Sequence, residues 1–222
     1  MAINIKSTKG LNANGVKILV YGAAGAGKTS LIATLPNPIV LSAEGGLLSI
    51  AESDIPYIEV NDMATLAEAY EYITEGDGQQ YDSIALDSIS EIAEVVLSNE
   101  RKKSKDPRQA YGEMQIAMQD LIRAFRDIPG KHVYFSAKME KTQDEMGRIL
   151  YSPSMPGNKI GQQLPFFFDE VLALRVERDA DGNTQRALMA DTDGIWSAKD
   201  RSGKLDMWEA PDLGEIIKKI GG

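Results

Sequence analysis

The chain has 222 residues, 43% of them apolar and 26% charged, with no cysteine and a single histidine, His132. A chain of that length buries roughly 70% of its unfolded surface, and the composition excludes disulfide frameworks, zinc knuckles, thiol nucleophiles and any catalysis that needs two histidines. Lys plus Arg number 24 against 33 Asp plus Glu, a net charge of −9, which excludes a protein that coats nucleic acid with its whole surface but leaves room for a local basic strip.

Residues 1–15 are polar and rich in Gly and Asn, and read as a flexible N-terminal arm ahead of a single core over 16–222. The first six residues lack the apolar segment of a signal peptide, and no stretch approaches the about 18 apolar residues of a membrane span. A cytoplasmic protein without membrane contact is expected. Val16–Tyr21 is an apolar strand ending at Gly22, followed by a helix from near Lys28 that stops before Pro36. Pro38–Ser42 and Tyr57–Val60 are further buried strands. Asn61 or Asp62 caps a helix reaching Glu75, on which Leu66, Tyr70 and Ile73 share a face. Ser83–Asp87 is a strand, and Ile89, Ile92 and Val96 mark the next helix.

Met114, Met118, Leu121, Ile122 and Phe125 line one face of a long helix beginning near Gln109, and His132–Ser136 is a strand behind Pro129-Gly130. The following thirty or so residues show no period and read as a long functional loop, with Phe166–Phe168 assigned to the core. Val171–Val176 and Gln185–Ala190 flank the turn Asp179–Asn183, and Pro211–Ile220 is a closing helix. This alternation specifies an α/β fold: a mostly parallel twisted sheet with helices on both faces and a C-terminal antiparallel hairpin.

Gly22-Ala23-Ala24-Gly25-Ala26-Gly27-Lys28-Thr29 matches G-x-x-x-x-G-K-[ST] between a strand and a helix, the context that gives this phosphate-binding loop its meaning. Its backbone N–H groups, with Ser30 behind them, cradle phosphates. Lys28 reaches the β- and γ-phosphates of ATP, and the Thr29 hydroxyl ligates Mg²⁺. Asp87 ends an apolar strand at the edge where such sheets bind ligands, and reads as the second metal residue. Ser88 follows it, so a water-activating carboxylate must come from elsewhere. Glu44, after the strand Pro38–Ser42, is the candidate general base.

Ala43-Glu44-Gly-Gly and Leu86-Asp87-Ser-Ile, in that order after the loop, resemble the RecA recombinase core, in which these acids are the catalytic glutamate and the metal aspartate. With Ala198-Lys199-Asp-Arg201, the motifs are similar to those of compact phage RecA-like proteins associated with single-strand annealing recombination. The resemblance implies an oligomer, ring or filament, in which Lys199 and Arg201 act on a neighbour's ATP, as the Ala-Lys-x-Arg-x-Gly of related hexameric helicases does. RecA itself has an Asn-Gln pair where this chain has Ser136-Ala-Lys138, leaving Ser136 or Lys138 as γ-phosphate sensor.

Arg101, Lys102, Lys103, Lys105 and Arg108 place five cations around one acid, Asp106. Their position corresponds to the first DNA loop of RecA-like proteins, and the segment 141–165, with Arg148, Lys159 and a potential stacking residue in Tyr151, to the second. The expectation is an ATP hydrolase that uses Mg²⁺, binds single-stranded DNA and promotes annealing or strand exchange, with a single-strand DNA-binding protein as a candidate partner. A small-molecule kinase and a nucleotide-gated interaction module are the competing readings.

Overall fold

The computed structural model describes residues 15–221, leaving the expected arm outside the described residues except for Gly15; the side chains of Asn158 and Lys159 are likewise outside them. Strand β1 (Lys17–Gly22) is buried throughout. Leu19 and Tyr21 join the core on one side of the sheet and Ile18 and Val20 the core on the other, so a centrally placed strand reads in sequence as an unbroken apolar run.

A six-residue 3-10 turn, Thr29–Thr34, follows the glycine loop. The sequence predicts a helix there; the segment is helical but of 3-10 type, and it ends at Thr34 with Leu35 extended before Pro36. Then come β2 (Pro38–Ser42), a 3-10 segment Leu47–Ser53, and β3 (Tyr57–Glu59). The expected burial of β3 is not met, because it is the edge strand and Tyr57 and Glu59 are exposed. Helix α1 (Met63–Glu75) is capped by Asp62, which accepts from Thr65 N at 2.8 Å.

Strand β4 (Ser83–Asp87) leads into α2 (Ile89–Lys103) and α3 (Pro107–Arg126), which pack as a helical hairpin. The cluster 101–108 is thus the last turn of one helix and the first of the next, joined by three residues, and not a long loop. Strand β5 (His132–Gln143) continues past the expected Ser136 and turns back as β6 (Ile149–Ser154), forming an antiparallel arm where the sequence reads as loop. The arm carries exposed residues on both strands and Pro153, so no alternation betrays it.

Helix α4 (Asn158–Gln163) and a 3-10 turn, Leu164–Phe167, precede β7 (Glu170–Arg178). That turn points three adjacent aromatics in different directions: Phe168 is fully buried, Phe167 half-buried, and Phe166 79% exposed, so only part of the run enters the core. Strand β8 (Thr184–Met189) completes the hairpin, with Asp179 Oδ1 accepting from Asp181 N and Asn183 N in its turn. Strands β9 (Lys199–Asp200) and β10 (Trp208–Glu209) and helix α5 (Leu213–Gly221) end the described chain.

The sheet order is β10-β8-β7-β1-β5-β4-β2-β3, with β6 paired to β5 and β9 to β7. The six strands from β7 to β3 run parallel, and β8 and β10 add an antiparallel edge. Helices α1, α2 and α3 cover one face; the 3-10 segments Thr29–Thr34 and Leu47–Ser53 and helix α5, through Leu213, Ile216, Ile217 and Ile220, cover the other. This is the α/β arrangement the alternation of elements implies, a mostly parallel sheet covered on both faces with an antiparallel C-terminal edge. Its consequence is positional: the carboxyl ends of β1, β2, β4 and β5 share one edge of the sheet. His132 is structural, its Nδ1 accepting from Val16 N at 3.1 Å.

Candidate nucleotide site

The glycine loop leaves β1 at that shared edge. Gly25 and Gly27 have φ of +73° and +108°, a region in which side chains with a Cβ are strained. A Cβ at Gly25 would meet nothing within 4 Å, so backbone conformation rather than crowding requires the glycine. Three groups brace the loop: Ala26 N donates to Ala23 O at 3.2 Å, Tyr134 on β5 donates its hydroxyl to Lys28 O at 2.8 Å, and Arg186 on β8 donates Nε to Ala26 O at 2.9 Å.

Lys28 Nζ donates to the carbonyls of Gly22 and Ala23, both at 3.0 Å, which holds the ammonium over the loop. Burial lowers its pKa, while the nearby Glu44 and Asp87 carboxylates oppose that shift. Thr29 donates its hydroxyl to Asp87 Oδ2 at 2.7 Å, and Ser136 on β5 donates to Asp87 Oδ1. Asp87 is buried, so both of its oxygens are satisfied by hydroxyls from two different elements. Glu44 is exposed, lines the same cavity as Lys28, and accepts a hydrogen bond from Ser88 Oγ. The cavity, about 610 Å³, is bounded by Gly25, Gly27, Lys28, Thr29, Ser30 and Glu44, with Leu174, Arg186 and Pro211.

A threonine hydroxyl beside one carboxylate offers hard oxygen ligands, the donor set of an Mg²⁺ whose remaining positions belong to phosphate and water. Among the described residues no cluster of three His, Cys, Asp or Glu could hold a metal by itself. Thr29 and Asp87 therefore fit a metal that arrives with its nucleotide. The following 3-10 turn is too short to add much helix dipole, so the loop's own N–H groups carry the anion attraction.

Of the two sensor candidates, Ser136 is engaged with Asp87, and Lys138, opposite Gly22 in the sheet, pairs with Glu91 of α2. That hydrogen bond is the main reason the Lys138 pKa is raised. Lys199 and Arg201 lie elsewhere. Strand β9 pairs with β7 at Val171 and Glu170, beside Leu19 and Ile18 of β1, about 10 Å down the strand from Gly22 at ~3.3 Å per residue. The loop carrying them is thus set away from its own phosphate loop. Lys199 Nζ donates to Pro165 O and Phe168 O, both at 2.7 Å, so the ammonium is turned onto its own chain. Arg201 pairs with Asp169 at 2.8 Å and its side chain remains 55% exposed.

The five cations Arg101, Lys102, Lys103, Lys105 and Arg108 are all exposed. Arg101 donates to the Tyr111 hydroxyl at 3.1 Å, and the Tyr111 ring lies against Gly157, in the segment after β6. The two segments that the sequence nominates for DNA thus adjoin. Arg148, at the tip of the β5–β6 arm, is exposed and paired with Asp144 at 2.7 Å. Lys159 belongs to α4, its side chain outside the described residues. Tyr151 is stacked on Trp196, with centroids 4.2 Å apart, which uses one of its ring faces.

Sequence reasoning misses Tyr134 and Arg186 as loop-bracing groups. Tyr134 carries no signal beyond an apolar strand. Arg186 carries none either: it shares a strand face with Leu188, two residues on, but lies in the exposed run Thr184–Arg186.

A glycine loop at the carboxyl end of a central parallel strand, with a threonine and an aspartate meeting beside it, defines a P-loop nucleotide site. Residues 14–202 match the family described as AAA domain, and the chain belongs to that family of P-loop ATPases. No curated protein matches it. Among solved structures, a KaiC-like protein from the hyperthermophilic archaeon Pyrococcus horikoshii OT3 is similar, with 11% identity, a TM-score of 0.45, and 81% of this chain and 84% of that one covered. Among the described residues no helix is long and apolar enough to cross a membrane.

Proposed function

We propose that the chain is an oligomeric, Mg²⁺-dependent ATPase that binds single-stranded DNA and promotes annealing or strand exchange in phage recombination, in the host cytoplasm. The observation that carries the ATPase reading is the convergence of Thr29, Asp87 and Glu44, from three separate segments, around one glycine loop. Thr29 and Asp87 would hold Mg²⁺, which would supply neutralisation of phosphate charge. The loop amides and Lys28 orient the triphosphate. Glu44, held by Ser88, takes a proton from a water whose oxygen bonds to the γ-phosphorus as the bond to the β-side oxygen breaks and ADP leaves.

Arg201 supplies charge to a neighbouring protomer's nucleotide. Its distance from its own loop and its exposure support a role in trans, and Lys199 anchors the loop that presents it. The adjoining of the 101–108 cations and the segment after β6 supports a single track for a phosphodiester strand. A single-strand DNA-binding protein is the candidate second partner.

Steady-state ATP turnover, measured with and without single-stranded DNA at low salt, tests this reading. DNA raises turnover, and Arg201→Ala and Glu44→Gln chains, each inactive alone, regain turnover when mixed, because each supplies what the other lacks. DNA that neither binds nor alters turnover ends the recombination reading, and phosphate passing to a soluble acceptor replaces it with a kinase.

A further inference from the structure

Arg186 reaches the phosphate loop from a strand distant in sequence. In β8 it stands opposite Val176 and on the face that Leu188 buries. Its Nε donates to Ala26 O at 2.9 Å, and the same atom lies 3.5 Å from where a Cβ on Gly27 would stand. The side chain is therefore laid along the loop in a fixed direction, and the guanidinium keeps further N–H donors beyond Nε. It borders the cavity together with Leu174 and Pro211.

The sheet order gives this placement a meaning. Asp87 ends β4 and Glu44 follows β2, both on one side of β1; β7 and β8 lie on the other side. A nucleotide seated in the loop turns its γ-phosphate and metal toward the two acids, which sends its nucleoside toward β7 and β8. We propose that Arg186 grips the nucleoside end of the bound nucleotide, through the α-phosphate and the face of the base, with Leu174 and Pro211 as apolar walls. This rests on the nucleotide reading of the loop. A planar guanidinium suits the task because it can pair with a phosphate and stack on a π-face at once, which an ammonium cannot.

The rival role is mechanical: Arg186 would merely brace Ala26. Two variants separate them. Arg186→Ala removes both functions, whereas Arg186→Gln keeps an N–H donor near the Nε position and loses the guanidinium. Calorimetric titration of the full chain with ATP, ADP and inorganic tripolyphosphate reads the difference. In Arg186→Gln, affinity for ATP and for ADP falls by the same factor, about ten- to hundredfold for a lost charged hydrogen bond and ring contact, and tripolyphosphate affinity, which has the third phosphate but no base to lose, falls by a clearly smaller factor. Tripolyphosphate binding that weakens in step with ATP, or ATP binding restored to wild type in Arg186→Gln, overturns the proposal in favour of a brace. Wild-type chain that binds tripolyphosphate no better than free phosphate and ATP not at all fails the nucleotide reading instead, and is told apart by needing no variant. Melting without nucleotide identifies an Arg186→Ala chain that has lost its fold, and the glutamine variant then decides alone.

Discussion

Thr29 donates its hydroxyl to Asp87 Oδ2 at 2.7 Å, joining positions 58 residues apart at the mouth of the glycine loop. Ser136 takes the other carboxylate oxygen. Asp87 thus sits buried with its charge opposed by Lys28 and by two hydroxyl donors, poised to attract a cation that brings its own ligands. Asp87→Asn keeps an acceptor for Thr29 and removes the charge. Titrations with and without Mg²⁺ check the consequence: chelating Mg²⁺ weakens ATP binding to the wild type, and the variant binds ATP equally weakly in both conditions. A variant that still gains affinity from Mg²⁺ as the wild type does removes Asp87 from the metal site.

Glu170 ties the fold to pH. It is fully buried, its Oε2 meets no donor among the described residues, and it faces the Asp200 carboxyl. Burial first, and Asp200 second, push its pKa up to about 8 from an ordinary 4.5. Between those values the unfolded chain has lost a proton that the folded chain keeps, so stability falls as pH rises through that window and levels off above it. Asp200 also accepts from Ser202 Oγ, Gly203 N and Leu205 N, shaping the loop that carries Arg201. Glu170→Gln therefore raises the melting temperature more at about pH 9 than at about pH 5. Equal effects at both pH values mean that the carboxyl is ionised throughout.

The glycine loop, β1, β4 and the capped α1 were legible because each writes a local rule into few residues: a motif with fixed spacing, an apolar run, a cap followed by a 3.6-residue period. The β5–β6 arm was not, since most of its residues are half-buried or exposed, with Met139 and Tyr151 only grazing the core, and such a hairpin has no clean inward face to alternate. Tyr57–Val60 reads as a buried strand in isolation, and its exposure at Tyr57 and Glu59 follows only from the strand order, which makes it an edge. Glu44 was nominated from its place after β2, but the Ser88 hydroxyl that holds it comes from a turn 44 residues on. The inward turn of Lys199 depends on carbonyls at 165 and 168, contacts that no spacing within Ala198–Gly203 encodes.

The exposed cations of the α2–α3 turn predict a salt signature. Lys102→Ala with Lys105→Ala removes two phosphate contacts without touching Tyr111, so the slope of log affinity for single-stranded DNA against log salt becomes shallower by about 1.4, at ~0.7 per contact. Fluorescence anisotropy over a range of salt concentrations measures it. An unchanged slope leaves these residues as a solvated helix end, where cations are favoured by the dipole alone.

Hydrolysis at the phosphate loop depends on a glutamate acting there. The direct measurement is phosphate release from Mg²⁺-ATP by Glu44→Gln beside the wild type, with ATP affinity recorded for both. We predict that turnover falls by about 10²- to 10⁴-fold, the usual contribution of a general base, while ATP binds as before. Wild-type turnover in Glu44→Gln, with Lys28→Ala inactive as a control, contradicts it.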